Sequence, residues 1–356
     1  MYTDNRGKQF VYLDNAATTK PYSYNTKYWF NSNSVYLPAV NTNIEIEFCR
    51  RQIKERLNLK SGKIIFGYNA SQIINYLSYN FGDGLRICSP FEHNCVKEIC
   101  DFVVYNEKSL EVLVEPKSYV FQMYVNNITG QIFDIESLGK ITREYGGYFI
   151  SDVTAAIGKV KLPDNLEEYC DCIFCSAHKF HGPRSMGFAW VSDRLLNQMF
   201  GNKIDNLDMF LGTKPSQEII DMSYAFLNNH AGLRIEANEK GYDYLIRLLK
   251  EELKDAGIKS MLVAPKNKTS AINTLYLPKI DANSLVQYLS SKNIYISAAH
   301  SACDYNKDKH NNVLLNYGFN EKESEQCIRV SFCRDNNEYD VKQLVEEIKE
   351  FKKLFI

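Results

Sequence analysis

Apolar residues recur along this chain in two alternating rhythms. Short runs, KIIF (63–66), LRICS (85–89), LEVLVE (110–115), YVFQMYV (119–125), YFISD (148–152), DCIFCS (171–176) and FAWV (188–191), read as strands. Between them lie segments of helical spacing. SQIINYLSYN (71–80) is one, and NCVKEICDFVVYN (94–106) places Val96, Ile99, Cys100 and Val103 at i, i+3, i+4 and i+7. DIESLGKITREYGG (134–147) predicts a helix closed by glycines. Strands alternating with helices predict an α/β fold: a large domain with a mostly parallel, buried sheet flanked by helices.

Further along, a long helical pattern over 236–256 ends at Gly257 and links to a second region. There INTLYL (272–277), NIYISA (293–298) and CIRVSF (327–332) read as strands, with helices over 281–292 and 339–351. This predicts a smaller α+β domain. The expected division is 14–245 for the large domain, with 1–13 and 246–356 forming the small one.

Composition narrows the function. The chain has 356 residues, 45% hydrophobic and 24% charged, an ordinary globular balance. A net charge of −1 supplies no basic field for nucleic acid or an anionic membrane. No apolar run is long enough to span a bilayer, and the first residues lack a signal peptide's basic flank and apolar core, so a cytoplasmic location is expected. The ten cysteines then read as reduced thiols. Cys170-x-Cys172-x-x-Cys175 with His178 has the look of a zinc set, but strand alternation points Cys175 away from the other two. They are expected in the core, and no metal is expected.

Open α/β sheets bind ligands beyond the carboxyl ends of their strands. Past KIIF stand Ala70 and Ser71, the latter placed to cap the next helix, where backbone N–H groups suit a phosphate. His93 follows LRICS, Asn127 follows YVFQMYV, and Asp152 ends YFISD. Ser176, His178 and Lys179 follow DCIFC in the stretch CSAHKFHGP (175–183). Singly, these are a helix cap, a turn residue, a core histidine and a solvated lysine. Together they match what pyridoxal phosphate requires: a lysine amine for a Schiff base, a carboxylate for the pyridinium nitrogen, a flat neighbour for the ring and a phosphate seat. On periodicity alone, a surface lysine stands as an equal alternative.

The segments VYLDNAATT (11–19), FEHNCV (91–96), VNNITG (125–130), SDVTAAIGKVKL (151–162), CSAHKFHGPRSMG (175–187), SAC (301–303) and IRVSF (328–332) occur in this order. In this the chain resembles the cysteine desulfurases of the class V aminotransferase fold (fold type I), nearly end to end. The resemblance implies that Lys179 carries the cofactor, Asp152 pairs with its pyridinium nitrogen, and His93 stacks on its ring and assists proton transfers. It implies that Asn127 orients the cofactor and substrate, and that Ser71, Ser176 and His178 hold the phosphate. Thr213 would reach the phosphate of a partner subunit in a homodimer, and Arg329 would clamp the substrate carboxylate.

The resemblance also implies that Cys303 receives sulfur from L-cysteine as a persulfide, releases L-alanine, and passes the sulfur to an acceptor protein. Cys303 lies in the polar stretch AAHSACDYNKDKHNNV (298–313), suited to a reactive thiol, with His300 placed to favour the thiolate. The chain departs from the family pattern at Ala155, Ile128 and Phe210, which puts the substrate in question. Other class V enzymes (an aminotransferase, a cysteine or selenocysteine lyase) and a degenerate non-catalytic partner in a sulfur-transfer complex are the alternatives.

Overall fold

The computed structural model describes residues 2–3, 9–22, 30–104, 115–201, 208–210, 212–301 and 313–355. The chain divides into two compact units. The larger comprises 20–125 and 133–235; the smaller comprises 1–19, 126–132 and 236–356.

β1 (Tyr2–Thr3) and β2 (Gln9–Tyr12) open the smaller unit. The larger unit then supplies α1 (Leu37–Arg56), β3 (Lys63–Gly67), α2 (Ala70–Tyr79), β4 (Arg86–Cys88), α3 (Asn94–Lys97) and β5 (Phe102–Val103). It continues with β6 (Tyr119–Phe121), α4 (Ile135–Glu144), β7 (Tyr148–Asp152), β8 (Cys172–Ser176) and β9 (Gly187–Val191). α5 (Asp193–Phe200) and α6 (Ser216–Asn229) follow. The seven strands form one sheet in the order β3-β9-β8-β7-β6-β4-β5. From β8 to β5 the pairing is parallel, and β9 runs antiparallel to both β8 and β3. β7, β8 and β9 are buried along their whole length, which is why they read as continuous apolar runs.

α7 (Gly232–Asp255) crosses the chain boundary between the units, and the sequence-drawn boundary at 245 falls inside it. The smaller unit adds β10 (Met261–Leu262), β11 (Ile272–Tyr276), α8 (Ala282–Ser291), β12 (Ile294–Tyr295) and β13 (Ser297–Ala298). α9 (Glu321–Ser324), β14 (Cys327–Ser331) and α10 (Glu338–Phe355) complete it. β10-β11-β14-β13 is an antiparallel sheet, and β12 lies parallel to β2 in a separate one, β1-β2-β12.

Two sequence expectations change and a third falls largely outside the described residues. The helix foreseen over 94–106 stops at Lys97. Asp101 N–H bonds Arg86 C=O and Val104 N–H bonds Cys88 C=O, so the parallel ladder captures Phe102 and Val103 as an edge strand. NIYISA splits into β12 and β13, because its two halves pair with strands of different sheets. Of the strand foreseen over 110–115, residues 110–114 lie outside the described residues.

Candidate active site

In the larger unit, parallel pairing sets Asp152 opposite Phe174, so β7 and β8 end at the same edge. Asp152 Oδ1 accepts Thr154 N–H at 2.7 Å, and Thr154 Oγ1 accepts Ser176 N–H at 3.2 Å. α2 starts beside them. Its cap is Asn69, whose Oδ1 takes Gln72 N–H at 2.8 Å, and not Ser71 as the pattern suggested. Asn69 is the last extended residue before the helix, and this places the cap. Ala70 N–H donates to Ser176 Oγ at 2.8 Å. Gly187 permits this approach, since a Cβ there would lie 2.4 Å from Cys175 O and 3.2 Å from the Asn69 carbonyl carbon.

Ser176 leads into a 3₁₀ turn, Ala177–Lys179. His181 then adopts φ +68°, a left-handed conformation that a non-glycine residue holds only when its surroundings fix it. Its ring stacks on Tyr22 with centroids 4.2 Å apart, and its Nδ1 lies 2.9 Å from Lys20 O. Lys159 Nζ donates to the Lys179 carbonyl at 2.8 Å. Of the two histidines flanking Lys179, His181 therefore anchors the turn. Sequence reading gave no role to His181 or to the buried Lys159, because a backbone angle and a side chain–carbonyl bond leave no pattern.

Lys179 is half-buried, and among the described residues its ammonium has no hydrogen-bond or ion-pair partner. His178 is pushed down to about 4, first by burial and then by the positive charge of Lys179, Arg184, Lys159 and His93. Several basic groups thus stand near this turn, with the Asp152 and Glu92 carboxylates in the same cluster. His93 caps α3, its Nδ1 accepting Cys95 N–H at 3.3 Å. Glu92 is buried. Its Oε1 takes Met123 N–H, and burial followed by the charge of Asp152 raises its carboxyl well above the usual range. Thr213 is exposed.

The smaller unit organises Arg329. It sits mid-strand in β14, opposite Thr274 of β11 and Ser297 of β13, and is fully buried. Its Nη2 donates to Asp14 Oδ1 at 2.7 Å and Ser297 Oγ at 3.1 Å, and its Nη1 to Asn127 O at 3.0 Å. Ser297 Oγ in turn donates to Asp14 Oδ1 at 2.7 Å. Only Nε lacks a partner on this guanidinium among the described residues. Asn127 is held by an Asx turn in which Asn126 Oδ1 accepts Ile128 N–H at 3.0 Å and Thr129 N–H at 2.9 Å. Sequence reading missed Asp14 and Ser297 as Arg329 partners; Asp14 stood in a quoted motif without a role.

The departures have local explanations. Ile128 is buried in an apolar cluster with Ala299, Leu314 and Cys327, where a carboxylate would be costly. Phe210 meets Tyr68 edge-on at 5.0 Å. Ala155 is buried. Burial pushes the His300 imidazole below its ordinary value. Cys303 lies outside the described residues. The other nine cysteines are free, and all are buried except Cys100, which is partly so. Burial raises the Cys170, Cys172 and Cys175 thiols. Among the described residues no three His, Cys, Asp or Glu side chains group to hold a metal.

The larger unit offers an unpaired amine, a buried carboxylate, imidazoles and neighbouring basic groups. Ser71 N–H at the start of α2 has no partner among the described residues, and Ser176 Oγ, having accepted Ala70 N–H, still has its own proton to give. This donor set suits a phosphate-bearing aldehyde.

A family model described as Aminotransferase class-V matches residues 11–344. The cysteine desulfurase IscS of Dictyoglomus turgidum is 26% identical over 86% of this chain and 85% of that protein. The IscS of Methanosarcina thermophila is 24% identical over 96% of this chain and 91% of its own. The crystal structure of a NifS-like protein from Rickettsia africae superposes with a TM-score of 0.83 at 22% identity, covering 97% of this chain and all (100%) of that one. That last likeness is one of fold.

Proposed function

This chain belongs to the aminotransferase class-V family, and on that premise we propose that it is a pyridoxal-phosphate-dependent cysteine desulfurase. L-cysteine would be converted to L-alanine, with the sulfur held as a persulfide on Cys303 for transfer to an acceptor protein. The observation that carries the reading is the turn at Lys179: a half-buried amine without a partner among the described residues, with basic groups and the Asp152 carboxylate in its cluster.

When bound, pyridoxal phosphate supplies an aldehyde that condenses with amines and a ring that accepts an electron pair from the substrate Cα. Lys179 Nζ is the amine that holds it and the base that takes the Cα proton. The Asp152 carboxylate would pair with the ring nitrogen, and His93 would stand beside the ring and assist proton transfers. Ser71, Ser176 and His178 grip the phosphate, with Ala70 fixing Ser176 through its N–H. The neutral His178 can donate a hydrogen bond to it. Thr213 serves the phosphate of a second subunit. A homodimer is supported by an exposed apolar stripe on α1, where Leu37, Val40, Ile44 and Phe48 follow helical spacing.

Arg329 holds the substrate carboxylate and Asn127 orients the bound pair. The Cys303 thiolate attacks the substrate sulfur; the S–S bond forms as the Cβ–S bond breaks, and carbon takes up protons to leave as alanine. Elimination supports Cys303, since burial pushes Cys49, Cys95 and Cys327 up to about 12 and leaves them protonated. Among the described residues no helix is long and apolar enough to cross a membrane.

The purified protein should be yellow, and borohydride reduction followed by peptide mapping should label Lys179. A label elsewhere, or none after adding the cofactor, overturns the cofactor assignment. Cys303→Ser should keep the colour and lose persulfide and alanine formation. Wild-type desulfuration by Cys303→Ser would favour the lyase or aminotransferase reading.

A further inference from the structure

The imidazole assigned to proton transfer does not stand alone. Cys95 Sγ lies 3.1 Å from His93 Nδ1, and Cys95 N–H donates to the same nitrogen at 3.3 Å. Two contacts from one residue thus converge on one ring nitrogen. The N–H contact is the helix cap of α3, in which His93 is the acceptor, so Nδ1 carries a lone pair rather than a proton.

The thiol's own state fixes the sense of the second contact. Cys95 is buried within the apolar cluster of the larger unit, among residues such as Ala70, Ile73 and Val96. Burial, followed by the negative charge of Asp152, pushes its thiol up to about 12. At neutral pH it is therefore S–H, a donor, facing a nitrogen already acting as acceptor.

We propose that Cys95 is a positioning residue that fixes His93 in its Nε2-protonated tautomer and disfavours protonation at Nδ1, leaving Nε2 as the nitrogen that exchanges protons in the reaction. This deepens the desulfurase reading and rests on it for the role of His93. The geometry of the pair belongs to the protein alone. The charged and titratable groups around it are Glu92 before α3, Asp152 at the end of β7, and His178 and Lys179 after β8. Asp152 acts on the thiol and His93 on His178, so the pair sits inside the same electrostatic cluster as the proposed amine.

The test uses full-length protein labelled with ¹⁵N-histidine, its His93 signals assigned by their loss in His93→Gln. In the wild type the neutral His93 ring should show a proton on Nε2 and none on Nδ1. Cys95→Ala should raise the pH at which His93 protonates by roughly half to one unit, the worth of one lost hydrogen bond. Cys95→Ser, which restores a donor of similar size, should bring it back toward wild type. The acid limb of the pH–rate profile for alanine formation should move in the same direction as the ring titration. A His93 ring protonated on Nδ1 in the wild type, or an identical titration in Cys95→Ala, overturns the proposal. Because the ring titration is read without turnover, it stands whether or not borohydride labels Lys179, so the two readings fail separately.

Discussion

The surroundings of Lys179 and of Arg329 treat positive charge in opposite ways. Around Lys179, in the larger unit, the amine has no direct partner among the described residues although Asp152 and Glu92 stand in the same cluster, and His178 is held down first by burial and then by the neighbouring cations. Around Arg329, in the smaller unit, a fully buried guanidinium is matched by Asp14, Ser297 and a backbone carbonyl. A buried charge is tolerable only when paired and hydrogen-bonded, and Arg329 meets both conditions from within its own unit. The first leaves its amine open to a ligand. The second already holds an anion, so on the proposed reading a substrate carboxylate would share or displace Asp14.

The largest expected effect comes from Arg329→Ala. It would leave the partly buried Asp14 without its cation and take donors away from the substrate. Breaking a buried pair costs about 3–5 kcal/mol, and losing a carboxylate clamp about a hundredfold or more in affinity. Urea unfolding and the KM for cysteine should both register it, with the cofactor spectrum unchanged. An unaltered KM would remove Arg329 from the substrate site.

Asp14→Asn separates the two roles of the pair. Stability should fall by about 2–3 kcal/mol, because the buried guanidinium loses its counter-charge. Affinity for cysteine should rise several-fold, because the internal competitor is gone. A rise in KM instead would mean that Asp14 orients Arg329 and does not compete with substrate.

The third test is one of pH. His178 and His230 are both held down to about 4 by burial, from an ordinary 6.5. With folded values below unfolded ones, the unfolded chain binds more protons between those limits, so stability rises with pH there. The contribution is fully present above pH 6.5 and is lost as pH falls toward 4. It amounts to up to about 3 kcal/mol for each group once fully titrated. Unfolding followed from pH 7 to 4 should show this loss, and His178→Gln should remove its share. Pyridoxal phosphate should shrink the His178 portion, since its phosphate offsets the surrounding cations. A pH-independent stability across that window would contradict the assigned burial of both rings.

The sequence by itself determined the alternation of strand and helix in the larger unit, the buried parallel strands, and the residue types at their carboxyl ends. Those signals are local: a strand covered on both faces must read as an apolar run, and a ligand-facing edge must carry polar groups. The ordered motifs also singled out Lys179, Asp152 and His93 as the candidates. Where local pattern competed with pairing across the chain, tertiary structure decided. Phe102 and Val103 left a helical spacing for a sheet edge, and NIYISA divided between two sheets. The capping of α2 by Asn69, the strained His181 turn, the Asp14–Arg329 pair and the Cys95–His93 contact were likewise decided there. Most of these depend on distances between residues far apart in sequence, or on a backbone angle that several residue types could adopt. Asp14 and Arg329 are 315 positions apart, and no periodicity reaches that far.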